Sequence, residues 1–277
     1  MKVAVFGVGT MGQGIAQVFA QYGHTVYMND ISEEFVQRGY DKIESGLTKR
    51  VEKGKMTAEE KQSIMSRLIK DDRSGAADSD LILEVVLEQM KIKKDLFMEL
   101  DEICKPEAIF ASNTSSLSIT EMSKGLKHPV IGMHFFNPVP AMKLVEIIRG
   151  ANTTEEEFRF IHDTAIAIGK EPIEVYEGPG FVVNRILIPM INEAVMIRES
   201  GTASVEDIDK AMKLGANMPM GPLELGDMIG LDICLAIMET LYAETCDSKY
   251  RPSPLLRKMV RGGLLGRKSG KGFYNYD

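Results

Sequence analysis

The first twelve residues constrain this chain more than any other stretch. Met1-Lys2-Val3-Ala4-Val5-Phe6 is a short apolar run that passes into Gly7-Val8-Gly9-Thr10-Met11-Gly12, a G-x-G-x-x-G turn, and Asp30 follows 18 residues after Gly12. A strand, a glycine turn and a helix in that order make a cradle for a dinucleotide. Gly7 permits the tight turn, Gly9 lets backbone N–H groups approach a pyrophosphate, and Gly12 lets the helix lie close to the sheet. The helix start at Thr10 and Met11 presents unpaired N–H groups and a positive dipole end. Ile15, Val18 and Phe19 share one helix face, and Gly23 closes the run. A second strand, Thr25 to Met28, leads to Asp30, whose carboxylate would accept from both hydroxyls of a ribose and repel a 2′-phosphate. NAD(H) is therefore the expected cofactor, in preference to NADP(H).

With 277 residues, 44% of them apolar, the chain is globular and can bury a substantial core in one large domain or two. Its net charge of −7 argues against nucleic acid as the main partner. Cys104, Cys234 and Cys246 show neither C-x-x-C nor His/Cys ligand spacing, so reduced thiols and no metal site are expected. The start lacks the segments of a secretory signal, and no apolar run is long enough to cross a bilayer. A cytoplasmic protein with no membrane partner is the expectation.

After Asp30 a charged, helix-prone stretch from Glu33 to Ile69 reads as two helices with a turn near Gly54. Strands are expected at Leu81 to Val86, Ala108 to Ala111, Val130 to His134 and Leu144 to Ile148, and helices at Met90 to Leu100 and Glu155 to Ile168. Strands alternating with helices imply a parallel, doubly wound Rossmann-type sheet, an α/β fold. The breaker cluster Glu177-Gly178-Pro179-Gly180 ends the alternation, so the expected domains are 1–180 and a helical one over 181–277. In the second, Asn184 to Glu199 is apolar on nearly all sides, which predicts burial all round and a partner surface, either the first domain or a second copy. Ser204-x-x-Asp207 reads as a cap for the next helix, and Leu223 to Tyr242 and Pro254 to Arg261 read as two more.

Reactive side chains fall where strands end, which is where such sheets bind ligands. Ser112-Asn113-Thr114-Ser115-Ser116 follows the Ile109 strand, either as a ligand loop or as a turn that caps the helix near Ile119. His134, in His134-Phe135-Phe136-Asn137-Pro138, is one of four histidines in the chain. Glu146 on the following strand could bond one ring nitrogen, fix the tautomer and favour the charged ring, which would make the imidazole a usable general acid and base. Asn184 stands at the head of the apolar helix, where its amide could cap that helix or face a cleft. Lys49, Arg50, Lys53 and Lys55 form a basic cluster in an acidic protein, suited to phosphates or simply to water.

As a set, GVGTMGQGIAQVFA, ASNTSSLSIT, GMHFFNPVPAMKLVEII, GPGFVVNRIL, MPMGPLELGDMIGLD and GRKSGKGFYNY span the chain in a specific order. In these stretches the sequence resembles the short-chain L-3-hydroxyacyl-CoA dehydrogenases, most of all their bacterial 3-hydroxybutyryl-CoA branch. The resemblance implies reversible hydride transfer between NAD(H) and an acyl-CoA, acetoacetyl-CoA and (S)-3-hydroxybutyryl-CoA being the expected pair, in a homodimer. It implies that His134 and Glu146 are the catalytic pair and that Ser115 and Asn184 contact the substrate carbonyl. It also places Asp30 on the adenosine ribose, Glu88 and Lys93 towards the nicotinamide half, Asn113 among the cofactor contacts, and Lys49, Lys53 and Lys55 near coenzyme A. Where the family reads E-A-x-x-E-N, this chain has Glu84-Val85-Val86-Leu87-Glu88-Gln89, with Gln89 in place of the usual amide.

Two other readings share the fold. One is a β-hydroxyacid dehydrogenase working through a lysine near the domain junction, for which Lys170 is the candidate. The other is a dinucleotide-binding protein without turnover.

Overall fold

The computed structural model describes residues 1–276; Asp277, counted in the expected second domain, lies outside them. The chain divides into two compact units, residues 1–178 and a second from Pro179 onward.

The first unit runs β1 (Lys2–Phe6), α1 (Thr10–Gln21), β2 (Thr25–Asn29), α2 (Glu33–Glu52), α3 (Ala58–Met65), β3 (Leu68–Lys70), β4 (Leu81–Glu84), α4 (Met90–Asp101), β5 (Ile109–Ser112), α5 (Ile119–Ser123), β6 (Val130–Phe135), β7 (Leu144–Arg149), α6 (Glu155–Ala167) and β8 (Glu171–Tyr176). These strands form one sheet in the order β3-β2-β1-β4-β5-β6-β7-β8. The central strands read as continuous apolar runs because both faces are covered: Val3, Val5, Leu81 and Leu83 on one face and Ala4, Ile82, Phe110 and Val130 on the other are all buried.

The sheet is not parallel throughout, as alternation had implied. β6 and β7 pair antiparallel, whereas the other neighbours pair parallel. Residues 136–143 hold Pro138 and Pro140 and form no helix, and a connection that short reverses the chain where a parallel return needs a dozen or more residues. Two further strands went unpredicted. Leu68 and Ile69, counted as the end of a helix, belong to β3, which pairs with β2. β8 is an edge strand whose Glu171, Ile173, Glu174 and Tyr176 are exposed, so neither a buried run nor a clean alternation marked it, and an edge tolerates Pro172.

The second unit contains α7 (Val183–Glu199), α8 (Val205–Gly215), α9 (Pro222–Ile229), α10 (Leu231–Thr245) and α11 (Pro254–Arg261). The single helix expected over Leu223 to Tyr242 is two, because Gly230 takes φ +107° and breaks it. Ser204 caps α8 by accepting from Asp207 N. One apolar cluster gathers Ile188, Ile191, Met238 and Leu241; another gathers Val195, Leu223, Leu231 and Leu256. Burial of α7 on all sides does not hold: Ile188, Ile191 and Val195 are buried, but Ile186 is 68% exposed. Beyond α11 the chain folds back on itself through bridges Gly266–Lys271 and Lys271–Asn275. Asp227, 1% exposed, accepts Phe273 N, Tyr274 N and the Tyr276 hydroxyl, while Asp209 accepts Leu223 N, Glu224 N and the Tyr274 hydroxyl.

Candidate active site

The glycine turn has the shape its spacing predicted. Gly7 has φ +94°, and a Cβ there would lie 2.5 Å from the Val85 carbonyl oxygen; a Cβ on Gly12 would lie 1.7 Å from the Gly7 oxygen. Neither position can carry a side chain without moving backbone. A Cβ on Gly9 would meet nothing within 4 Å, so space lies open over the start of α1, whose N-cap is Gly9 with no side-chain cap. Open space beside uncapped N–H groups, Thr10 and Met11 forming the first turn, fits an anionic dinucleotide. Asp30 reaches this turn: Oδ2 accepts Val8 N at 2.8 Å and Oδ1 accepts Ile31 N at 2.8 Å.

The antiparallel reversal places His134 directly opposite Glu146 in the β6–β7 register. Nδ1 of His134 lies 2.8 Å from Glu146 Oε2; the ring is 7% exposed and the carboxylate is fully buried. A carboxylate without water commits its charge to the imidazole, fixes which nitrogen faces it and aims the ring. The Phe136 ring lies tilted against the imidazole, centroids 4.6 Å apart.

Neighbouring strands bring a second polar group together. Lys93, 1% exposed in the first turn of α4, places Nζ 2.6 Å from Glu84 Oε1 and 3.1 Å from Glu88 Oε2. Glu88, 38% exposed, accepts with Oε1 from Thr114 Oγ1 at 2.7 Å, Ser115 N at 2.8 Å and Ser115 Oγ at 3.1 Å. Burial pushes the Glu88 carboxyl up, but the Lys93 ammonium and these donors outweigh it and hold it below its ordinary value. Glu84 is different: burial pushes its carboxyl up, and the Lys93 ammonium only partly opposes that. The Ser112–Ser116 loop is thus tied to acids from β4 and its following segment, while the cap of α5 is Ser118 and not this loop. Asn113 spends its carbonyl oxygen on Phe135 N at 2.8 Å, linking that loop to β6 beside His134.

The other expected positions belong to other elements. Lys49 is in the last turn of α2, Lys53 is its C-cap and Lys55 follows Gly54; all three are exposed and Arg50 is half-buried. Asn184 belongs to the second unit, in the first turn of α7, and is half-buried. Lys170 is buried and donates to the carbonyls of Val139 at 2.5 Å and Met142 at 2.7 Å, so its ammonium fastens the β6–β7 connection and serves no catalytic role of the kind the lysine alternative requires. Among the described residues no His, Cys, Asp and Glu group could hold a metal ion, and no helix is long and apolar enough to cross a membrane.

Family comparison agrees with this geometry over the whole chain. Residues 2–178 match the 3-hydroxyacyl-CoA dehydrogenase NAD binding domain, and residues 180–276 match the 3-hydroxyacyl-CoA dehydrogenase C-terminal domain. The chain belongs to the 3-hydroxyacyl-CoA dehydrogenase family. It is an NAD-binding oxidoreductase with the Rossmann-type and helical parts of that family. A 3-hydroxybutyryl-CoA dehydrogenase of Clostridioides difficile is 54% identical over 100% of both chains. The human mitochondrial hydroxyacyl-coenzyme A dehydrogenase is 42% identical over 99% of this chain and 90% of its own. Among solved structures, the (S)-3-hydroxybutyryl-CoA dehydrogenase of Ralstonia eutropha superposes with a TM-score of 0.95 at 46% identity, covering 100% of this chain and 99% of that one.

Within this dehydrogenase fold, the tie from Glu84 to Lys93 and Ser112 is not among the sequence expectations. An acid closing the apolar run Leu81-Ile82-Leu83, with a lysine nine residues on, was the available signal.

Proposed function

We propose that the chain interconverts acetoacetyl-CoA and (S)-3-hydroxybutyryl-CoA reversibly, with NAD(H), and that His134 and Glu146 carry the proton chemistry. The pairing of a nearly buried imidazole with a fully buried carboxylate at 2.8 Å supports this reading most directly. Bound NAD(H) supplies or takes up the hydride at nicotinamide C4. In reduction, the 3-keto oxygen gains negative charge; His134, charged and aimed by Glu146, stabilises that charge and delivers its Nε2 proton. In oxidation, neutral His134 takes the proton back. Ser115, turning its one hydroxyl proton from Glu88 to the substrate, and Asn184 donate hydrogen bonds to the same oxygen, of a kind whose loss from a dry, preorganised site costs about 3 to 4 kcal/mol.

Asp30 receives the adenosine ribose, and the N–H groups from Gly9 to Gly12 receive the pyrophosphate. Glu88, Lys93 and Asn113 shape the nicotinamide end, and Lys49, Lys53 and Lys55 take phosphates of coenzyme A. The active form is a cytoplasmic homodimer; the exposed Ile186 on the apolar helix α7 supports the dimer. The test follows NADH and NADPH absorbance with acetoacetyl-CoA and with longer 3-ketoacyl-CoA substrates. Oxidation of NADH by acetoacetyl-CoA is expected, with His134→Ala slower by about a hundredfold or more and binding NADH within about twofold of the parent. Near-normal turnover of that variant would remove His134 from the role.

A further inference from the structure

Glu84 ends a strand in which every residue is buried, and its carboxylate is wholly removed from water. Packing alone favours an apolar side chain there, since a buried charge is costly unless several donors reach it. Here three do. Oε1 accepts Lys93 Nζ at 2.6 Å and Val86 N at 2.7 Å; Oε2 accepts Ser112 Oγ at 2.5 Å. From these contacts two arms run to one loop. Ser112 Oγ, fixed by Glu84, accepts Thr114 N at 3.1 Å. Lys93, also fixed by Glu84, holds Glu88, and Glu88 holds the Thr114 hydroxyl and both the N–H and the hydroxyl of Ser115.

We infer that Glu84 is a positioning residue that sets the Ser112–Ser116 loop from both sides, and so sets the Ser115 hydroxyl for the reacting carbonyl. This rests on the proposed role of Ser115. Glu84 touches neither substrate nor cofactor in this account. One ammonium serves two carboxylates, so removing the charge of Glu84 leaves Lys93 to Glu88 alone, shifts Glu88 towards α4 and loosens its grip on Ser115. An apolar residue at 84 would fill the strand but could not join β4, β5 and α4 through a single group.

The test uses the full-length enzyme carrying Glu84→Gln, which keeps the shape and removes the charge. We expect kcat for acetoacetyl-CoA reduction to fall by about tenfold to a hundredfold, the scale of a misplaced reacting geometry, with KM changed by less than about threefold. ADP-ribose should bind as it does to the parent, because the adenosine half lies at Asp30 and the glycine turn. In the cofactor-free protein, backbone amide exchange should speed up in residues 112–117. In a Ser115→Ala background the kcat loss from Glu84→Gln should shrink severalfold, since the group being positioned is gone. Where Glu84→Gln lowers the melting temperature or ADP-ribose binding, Ser112→Ala, which cuts one arm and removes no charge, is judged by the same measurements. If Ser115→Ala retains full kcat, the reading of Ser115 fails and the inference falls with it. If Ser115→Ala is impaired while Glu84→Gln and Ser112→Ala leave kcat and amide exchange unchanged, or their losses simply add to that of Ser115→Ala, the inference alone is overturned.

Discussion

At the residue scale, Asp30 holds the glycine turn through Val8 N, and it is the residue proposed to receive the ribose. Asp30→Ala should narrow the preference for NADH over NADPH, measured as the ratio of kcat/KM for the two; an unchanged ratio would take Asp30 off the ribose. A different acid, this one buried, bears on stability. Asp101, 6% exposed, accepts Lys127 N and His128 N and lies 2.6 Å from His128 Nδ1, while His128 Nε2 faces the Lys105 carbonyl. Burial pushes the Asp101 carboxyl up, but these donors outweigh it and hold it below its ordinary value. A carboxyl depressed on folding stabilises the fold above its unfolded value, near 4, and loses that contribution as pH falls through the lower folded value. Asp101→Asn should therefore melt below the parent at pH 7, with the gap closing as pH falls below about 4. A gap independent of pH would assign the loss to packing. His134 and Glu146 were readable as a pair because each lies on one of two successive strands. Glu84 was not, because its partners Lys93 and Ser112 meet it only once α4 and β5 pack beside β4.

At the scale of elements, the pattern of apolar runs located α1, β4, β6 and α6 because each carries a continuous buried face. It failed where a face was short or wet, as in β3 and β8, and where one backbone conformation, at Gly230, divided a continuous apolar pattern. The closing GRKSGKGFYNY run could be matched to a family but its task could not be read, since Asp227 and Asp209 lie 46 and 65 residues before the groups they hold. Those contacts make the tail part of the second unit's core. Burial and hydrogen bonding to Asp209 push the Tyr274 hydroxyl well above its ordinary value, so it remains a donor throughout the usable pH range. Truncation after Gly272 strips Asp227 of the donors from Phe273, Tyr274 and Tyr276 and Asp209 of the Tyr274 hydroxyl, and should lower the melting temperature by about 5 °C or more, taking at least about 2 kcal/mol for the groups left unpaired. An unchanged melting curve would show the tail to be an appendage.

For the whole molecule, the change of composition at Glu177–Gly180 falls where the chain passes from a sheet unit to a helical one. Periodicity alone could mark that change, because a sheet buried on both faces and a helical bundle leave different repeats. The apolar pattern of α7 also called for a partner surface, and within the single chain Ile186 stays exposed. The second copy proposed above would cover that side chain. Sedimentation at micromolar concentration should give twice the 30.7 kDa chain mass, and Ile186→Glu should reduce it to one. A monomeric parent would leave that face for another purpose.

The reversal between β6 and β7 also bears on how the molecule assembles. Because His134 and Glu146 sit across a single short hairpin, closing the loop between them costs little chain entropy. The two groups proposed to handle the proton are thus brought together by local folding, whereas the cofactor cradle must draw Asp30 and Val85 from distant parts of the chain. A destabilised variant could lose its hold on the dinucleotide while the imidazole and its acid still face each other.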